Sequence, residues 1–309
     1  MSFSAEIKQE LCNLSSGEGA QRTALSYGML RFARSCNSQT ITLVTEHPGF
    51  ARFASDLIVE ECGVFVDMET KITHRKQAPE SCTVTVAGDD QRNKVLEHFP
   101  GIHDGVAARI DHRFLQEPGC AAAFLRGVFL SCGTVINPER EYHLELSAVH
   151  MHLAEDLCNL LSSLEELSIQ PSVICRKGSV VVYLKESEAI ADFLTYIGAQ
   201  NGALELMQVK MMKELRNDEN RRSNCETANI MKTANAAAVQ RIAIERIQKY
   251  MGLEQLSPEL KELCELRYEN PGMSLRELGE NLSVPISRSG VNHRIQKILE
   301  LAETLPPLE

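Results

Sequence analysis

The segment 120-CAAAFLRGVFLSCGTV-135 is the most informative part of this sequence for predicting its fold. It predicts a long apolar helix that ends at Gly133 and continues into a strand. Small residues recur at every fourth position, at Ala123, Gly127 and Ser131, so they share one face of the helix. A face of this kind lets a second helix approach backbone against backbone. We therefore expect this helix to pack closely against another glycine-containing helix.

Such a helix lies 99 residues earlier, at 23-TALSYGMLRFARS-35, where Gly28 corresponds to Gly127. Each of the two helices is followed by the same elements. An alternating strand comes first, at 40-TITLVTEH-47 and at 142-YHLELSAVH-150, and an amphipathic helix follows it. A second strand, at 82-CTVTVAG-88 and at 179-SVVVYLK-185, then leads to a short helix, and there is room for further strands around 64–72 and 169–176. This order predicts a pseudo-twofold α+β domain of two repeats, packed through the glycine helices. The alternative is a chance match between two unrelated α/β segments.

The composition is that of an ordinary soluble protein, with 43% hydrophobic and 24% charged residues. No apolar run reaches the roughly 18 residues that a membrane span needs, and the N-terminus MSFSAEIKQEL has no apolar signal core. Ten cysteines without a CxxC pair are best interpreted as free thiols. We therefore expect a cytoplasmic protein without a membrane association.

The net charge of −10 is unevenly distributed. Residues 221–309 contain 12 Lys+Arg and 12 Asp+Glu, so the whole negative charge lies in residues 1–220. Within the neutral part, the segment Ile286–Ile298 contains two arginines, a lysine and a histidine and no acid. This local cationic segment is compatible with nucleic-acid binding, which the average charge alone would argue against.

The C-terminal part is predicted to contain four helices. The first begins at Thr233 and ends at Gly252, and its inner face is expected to consist of Val239, Ile242, Ala243, Ile247 and Tyr250. The second opens at Ser257-Pro258 and stops at Asn270-Pro271-Gly272. The third starts with a capping box formed by Ser274 and Glu277, and the fourth runs from about Ser287 to Glu303.

The third and fourth helices, joined by a tight polar turn, form the helix-turn-helix pattern. Val291, Ile295 and Ile298 define the buried side of the last helix. The residues expected to contact DNA are Arg288, Ser289, Gly290, Asn292, His293, Arg294, Gln296 and Lys297. Their amide, imidazole, hydroxyl and cationic groups suit base edges and phosphates. Gly290 is expected to let a backbone approach closely. The alternative is a solvated polar face on a small helical bundle.

The segment before this module is rich in Arg, Asn, Asp, Ser and Thr. It contains too few apolar side chains to form a buried core. It is interpreted as an interdomain linker. Arg221, Arg222, Asn224 and Asn229 could in addition form an arm that contacts DNA. Both interpretations, a plain linker and a linker with DNA contacts, remain open from the sequence.

The order of elements in the first 200 residues resembles the LAGLIDADG homing endonuclease domain. The chain as a whole resembles the bacterial WhiA family, in which such a domain precedes a helix-turn-helix. The segments that carry this resemblance are 216-RNDENRRSNCETANIMKT-233, 285-PISRSGVNHRIQKI-298, YHLEL at 142–146 and RKGSVVVYLK at 176–185. The resemblance implies a DNA-binding regulator linked to cell division, chromosome segregation or sporulation.

The acids of the endonuclease motif are missing from this sequence. Counted from Gly28 and Gly127, the positions where the motif carries an acid are Ala33 and Cys132. Mg²⁺ prefers oxygen ligands, which neither side chain supplies. We therefore expect no catalytic residues, metal or cofactor. The histidines near 143–152 lack a completing set of ligands. A patch at His74, Arg75 and Lys76 could still touch DNA.

The predicted domains are a first repeat with its N-terminal helix at 1–110, a second repeat at 111–208, a linker at 209–232 and a helix-turn-helix domain at 233–309. The expected function is sequence-specific binding of double-stranded DNA by a nucleoid-associated cytoplasmic protein that is not an enzyme. The N-terminal domain is expected to contact protein partners or a ligand, or to orient the C-terminal module. The competing hypotheses are an active or nicking endonuclease and a division-linked protein adaptor that binds DNA weakly.

Overall fold

The computed structural model describes residues 2–71, 81–102, 108–167, 169–176 and 178–308. They form two compact units, one that ends at Lys213 and one that begins at Glu214. The first unit is mixed α and β and the second is all helical, as predicted. In the described part of the chain, no helix is long and apolar enough to cross a membrane.

The first unit contains the same series of elements twice, after an N-terminal helix. In chain order they are α1 (Phe3–Cys12), α2 (Ala20–Arg31), β1 (Ser35–Cys36), β2 (Ile41–Thr45), α3 (Pro48–Cys62), β3 (Val66–Lys71), β4 (Ser81–Val86), α4 (Asp89–His98), a 3-10 turn (His112–Leu115), α5 (Cys120–Cys132), β5 (Gly133–Val135), β6 (Leu144–Ala148), α6 (Met151–Ser163), β7 (Ser172–Arg176), β8 (Ser179–Leu184), α7 (Ser187–Tyr196) and the start of α8 (Gln200–Tyr250).

Each repeat forms one four-stranded antiparallel sheet, and the two sheets have matching orders, β1-β2-β4-β3 and β5-β6-β8-β7. The strands for which the sequence left room, around 64–72 and 169–176, are β3 and β7, and both lie at a sheet edge. Alternate residues of β2 and β4 are buried, so the first sheet has one inner and one outer face. The predicted internal repeat is confirmed.

The two repeats meet through α2 and α5. A Cβ atom at Gly28 would lie 2.3 Å from the carbonyl oxygen of Phe124, and one at Gly127 would lie 2.2 Å from that of Leu25. Both distances are far below van der Waals contact, so only glycine fits at either position. The close helix pair predicted from the opening stretch is confirmed, and it lies within one apolar core that spans both repeats.

Arg126 of α5 binds the C-terminal end of α1. Its Nη1 donates to the carbonyl of Ser15 at 2.7 Å, and its Nη2 donates to the carbonyls of Leu11 at 2.5 Å and Leu14 at 3.0 Å. The last carbonyls of a helix have no partners within the helix, and the helix dipole favours a cation there. The second repeat therefore fixes the N-terminal helix.

The second unit consists of the rest of α8, a 3-10 turn (Leu253–Gln255), α9 (Pro258–Glu269), α10 (Leu275–Glu280) and α11 (Arg288–Glu303). Its core is a separate apolar cluster that includes Ile247, Leu263, Leu278, Val291 and Ile295. The predicted boundaries are confirmed at Gly252, which has a φ of 83°, and at Pro258, the first residue of α9.

The helix start predicted at Thr233 is wrong, because α8 runs without interruption from Gln200 to Tyr250. After Gly202 this stretch contains neither glycine nor proline, the two residues that most disfavour a helix. Ion pairs between residues four apart support it, for example Arg222 with Glu226 at 3.2 Å. The side chains around 214–236 are nevertheless exposed, as their polar composition indicated.

The inner face predicted for the last part of α8 is only partly correct. Ala243 and Ile247 are buried, but Val239, Ile242 and Tyr250 are exposed. The other buried side chains on this part of α8 are those of Ala237, Gln240 and Ile244. The predicted face was based on the bulkier apolar residues. The observed face follows the helical spacing and includes the smaller Ala237 and the polar Gln240.

Candidate nucleic-acid interface

A tight turn connects α10 to α11. The predicted capping box is confirmed: the hydroxyl of Ser274 accepts from the backbone N–H of Glu277, and the Glu277 carboxylate accepts from the N–H of Ser274. The N–H of Ile286 donates to the carbonyl of Gly279 at 3.0 Å. A Cβ atom at Gly279 would lie 2.4 Å from the Ile286 carbonyl oxygen, so glycine permits this turn.

Helix α11 packs one side against the core of its unit and presents the other at the surface. Ser287 caps its start by accepting a hydrogen bond from the N–H of Gly290. The three side chains predicted to face inward are buried: Val291, Ile295 and Ile298. Asn292 and His293 are exposed. The surface that the sequence predicted for base contacts is therefore accessible.

The eight predicted contact residues are divided between two flanks of α11. Arg288, Asn292 and Gln296 line a groove of about 700 Å³ between α11, α10 and α8. Ser289, Gly290, His293, Arg294 and Lys297 line a pocket of about 420 Å³ between α11 and the start of α9. These two concavities are called the α8–α11 groove and the α9–α11 pocket below.

The α8–α11 groove is cationic. Besides Arg288, it is lined by Lys232 of α8 and Arg276 of α10, and no carboxylate belongs to its described lining. The Arg276 side chain pairs with Glu280 outside the groove at 2.9 Å. Amide side chains, such as that of Asn235, supply further hydrogen-bonding groups. The groove can thus attract an anionic strand and donate hydrogen bonds to it.

The α9–α11 pocket contains an acid. Nη2 of Arg294 lies 2.9 Å from Oε2 of Glu259 on α9, with 22% of the arginine side chain and 69% of the glutamate side chain exposed. Arg294, which the sequence predicted as a DNA contact, thus already has a carboxylate partner within its own unit. His293 and Lys297 are exposed in the same pocket.

The close approach of a backbone expected at Gly290 stays a prediction. A Cβ atom there would point toward Ile286 and meet its side chain at 3.4 Å, an ordinary van der Waals distance. Gly290 lines the α9–α11 pocket, and an alanine would fit at this position.

The four residues of the predicted arm are exposed on the part of α8 that precedes the groove. At about 100° per residue, Arg221, Arg222 and Asn229 lie within about 60° of the direction in which α8 faces the groove, whereas Asn224 points about 100° away. Arg222 pairs with Glu226 at 3.2 Å. Arg221 pairs with Asp218 at 3.8 Å. Two arginines and one amide therefore lie on the side of α8 that continues the groove.

The position of the first missing acid lies at the end of α2. Ala33 is buried. The neighbouring Arg31 is also buried and donates to the backbone carbonyls of Arg109 at 3.0 Å and Ile102 at 2.7 Å. Arg31 thus stabilises the fold, whereas Arg34 is exposed.

The second missing acid corresponds to Cys132, the last residue of α5. Its thiol donates to the carbonyl of Val128 at 3.3 Å, and burial raises its pKa to about 12. The amino group of Lys8 lies close enough to interact electrostatically with this thiol, and burial lowers the pKa of Lys8. A neutral thiol beside an amino group is a poor environment for Mg²⁺.

Among the described residues, no three His, Cys, Asp or Glu side chains come together as a metal site. Two of the histidines considered from the sequence pair with nearby glutamates, His143 with Glu145 at 2.8 Å and His152 with Glu155 at 3.1 Å. The patch at His74, Arg75 and Lys76 lies outside the described residues.

Sequence reasoning missed Glu259, Lys232 and Asn235 in this region. Glu259 lies 35 residues before Arg294, and no spacing rule links the two. Lys232 and Asn235 were assigned to the linker and to the helix after it. The absence of glycine and proline across that stretch is the signal that could have extended α8 to include them.

Two family models match the chain: the WhiA LAGLIDADG-like domain over residues 121–216 and the WhiA C-terminal HTH domain over residues 220–302. The first covers the second repeat, and the second covers α9 to α11 with most of the second unit's share of α8.

Similar proteins extend over nearly the whole sequence. The chain is 36% identical to the probable cell division protein WhiA of Clostridium beijerinckii, with 99% of each chain covered. It is 35% identical to the probable cell division protein WhiA of a Thermoanaerobacter species, with 99% of this chain and 98% of that protein covered. The crystal structure of full-length WhiA from Thermatoga maritima matches with a TM-score of 0.57 and 26% identity over 100% of both chains.

Proposed function

Because this chain belongs to the WhiA family, we propose that it is a sequence-specific DNA-binding protein that regulates transcription in connection with cell division, chromosome segregation or sporulation. In this proposal it binds double-stranded DNA in the cytoplasm, as part of the nucleoid, and does not cut it. The link to cell division follows the names of the relatives.

The observation that carries the proposal is the exposed side of α11. Asn292, His293, Gln296 and Lys297 are all exposed there, directly after the tight turn at Gly279. Amide and imidazole groups can donate to or accept from base edges in the major groove, and an ammonium group can bind phosphate. A helix with this surface, on a helix-turn-helix, is suited to reading DNA sequence.

DNA binding would extend from α11 to α8. Arg221, Arg222 and Asn229 lie on the side of α8 that continues the α8–α11 groove, so they are suited to contact phosphates as an arm. Asn224 is expected to contribute less because it points away from that side. The repeats at 1–110 and 111–208 and the helix-turn-helix domain at 233–309 are proposed as the functional parts. The stretch at 209–232, predicted as a linker, connects them as part of α8.

The absence of nuclease activity is proposed from the chemistry at Ala33 and Cys132. A buried methyl group and a neutral thiol replace the two oxygen ligands, and Lys8 adds an amino group beside the thiol. We expect the paired repeats to serve instead as a scaffold or as a surface for protein partners, because the whole negative charge of −10 lies in residues 1–220.

DNA binding is tested by selecting sites from a random duplex library with the full chain and then measuring affinity for the selected site. Lys297→Ala should weaken binding and lower the slope of log affinity against log salt by about 0.9, the share of one phosphate contact. Lys249→Ala is the matched control, since this lysine lies on α8 and lines a different surface. Failure to enrich any sequence would overturn sequence-specific binding.

The nuclease alternative is tested with supercoiled plasmid and either Mg²⁺ or Mn²⁺. We expect no nicked or linear product above that of a buffer control. Protein-dependent cleavage in the presence of either metal would make the endonuclease hypothesis correct.

A further inference from the structure

The two flanks of α11 differ in charge. Arg288, Lys232 and Arg276 belong to the α8–α11 groove, whose described lining contains no carboxylate. Arg276 pairs with Glu280 at 2.9 Å, but that acid does not line the groove. In the α9–α11 pocket, by contrast, Glu259 belongs to the lining and pairs with Arg294 at 2.9 Å. The α8 side and the α9 side of α11 therefore differ in charge, and an anionic strand is attracted more strongly to the α8 side.

The groove also has the size and extent for a strand. It measures about 700 Å³, against about 420 Å³ for the α9–α11 pocket. Along α8, Lys232 lies 10 residues after Arg222, which corresponds to about 15 Å at the rise of an α-helix. Phosphates along one DNA strand follow each other at intervals of several ångströms, so a stretch of this length can meet more than one of them.

We propose that the α8–α11 groove binds the sugar-phosphate backbone of one DNA strand, while Asn292 and Gln296, the exposed amides on its α11 wall, contact the base edges beside that strand. Lys232 and Arg288 are the phosphate ligands on the two walls of the groove, and Asn235 donates a hydrogen bond between them. The backbone contact is thus made mainly on the α8 side of α11. This inference rests on the proposed function, and it specifies which surface of the second unit binds the DNA backbone.

The first test measures the affinity of the full chain for a 24-base-pair duplex over a range of salt concentrations. Lys232→Ala and Arg288→Ala should each weaken binding by about 5- to 30-fold and reduce the salt slope by about 0.9. Lys249→Ala, the same change on the same helix, should leave both unchanged. Lys232 and Arg288 are exposed, so these variants should fold.

The second test uses position-specific cross-linking. Cys225 is exposed and lies on the groove side of α8, about 160° from the side of Ser223 at about 100° per residue. In a Cys175→Ser background, which removes the other exposed thiol, a photo-cross-linker on Cys225 should cross-link the duplex. The same probe attached in a Ser223→Cys, Cys225→Ser variant should cross-link it much less.

The outcomes separate the inference from the function on which it rests. If the unchanged protein binds no duplex, the proposed function is wrong. If it binds DNA but Lys232→Ala behaves like Lys249→Ala, or the two cross-linking positions give equal yields, the groove does not hold the strand and the inference is overturned.

Discussion

Gly127 lies against Leu25 so closely that a Cβ atom at Gly127 would be 2.2 Å from the carbonyl oxygen of Leu25. The opposing atom is backbone and cannot rotate away, so α2 and α5 would have to separate. Gly127→Ala should lower the free energy of unfolding of the first unit by about 3 kcal/mol. Gly290→Ala, also in a helix but with ordinary space around the new methyl group, should change stability by less than about 1 kcal/mol. Urea unfolding followed by circular dichroism measures both, and equal effects would contradict the close packing.

The ion pair between Glu259 and Arg294 should weaken DNA binding. Glu259→Gln frees the guanidinium for phosphate, so affinity for any duplex should rise by about 3- to 10-fold and the salt slope should become steeper by about 0.9. Glu265→Gln on the same helix removes an equal charge away from the pocket and is the control. A loss of affinity in Glu259→Gln would mean that the acid instead orients Arg294 for its contact.

Glu61 should make the stability of the first unit depend on pH. Its side chain is 4% exposed and accepts hydrogen bonds from Thr23 at 2.5 Å, Arg22 at 2.8 Å and the His98 ring at 3.0 Å. Burial would raise the pKa of Glu61, but these hydrogen bonds outweigh it and lower the pKa below 4.5.

Because the pKa of Glu61 is lower in the folded than in the unfolded state, its contribution is present above the unfolded value near 4.5 and is lost as the pH falls through the folded value. Glu61→Gln should reduce the free energy of unfolding near pH 6. It should also make this free energy fall less steeply between about pH 5 and pH 3. Glu60→Gln, the exposed neighbour, should keep the pH profile of the unchanged protein. Equal profiles for the two variants would exclude this role.

The cysteines should differ in reactivity. Cys175 and Cys225 are exposed, whereas burial raises the pKa of Cys132 and Cys36 to about 12. The thiolate is the reactive form, so at about pH 8 the two exposed residues should be alkylated first and Cys132 should stay largely unmodified. Peptide mapping by mass spectrometry measures this order. Early modification of Cys132 would contradict the environment described at the end of α5.

Much of the fold could be predicted from the sequence because it depends on local rules. The glycines at 28 and 127, the capping box at Ser274 and the glycine at 252 each have a local signature, and the structure confirms all of them. Hydrophobic spacing also identified the buried side of α11.

The predictions that needed tertiary information were wrong or incomplete. The polar composition around 214–236 indicated exposure correctly, but exposure does not exclude a helix, and α8 continues through it. The pairing of Arg294 with Glu259 joins two helices through space, and the Cβ direction at Gly290 depends on where Ile286 folds back. A local sequence pattern does not give the distance between residues that are far apart in the chain.

The hydrogen bonds from Arg126 to the end of α1 have a consequence for how the protein folds during its synthesis. The carbonyls of Leu11 and Leu14 leave the ribosome more than 100 residues before the guanidinium that binds them. Until then α1 and α2 can pack only against elements of their own repeat, such as α3, and the glycine surface of α2 lacks the helix that covers it. We therefore expect the α5-facing surface of α2 to stay exposed during synthesis until α5 has left the ribosome.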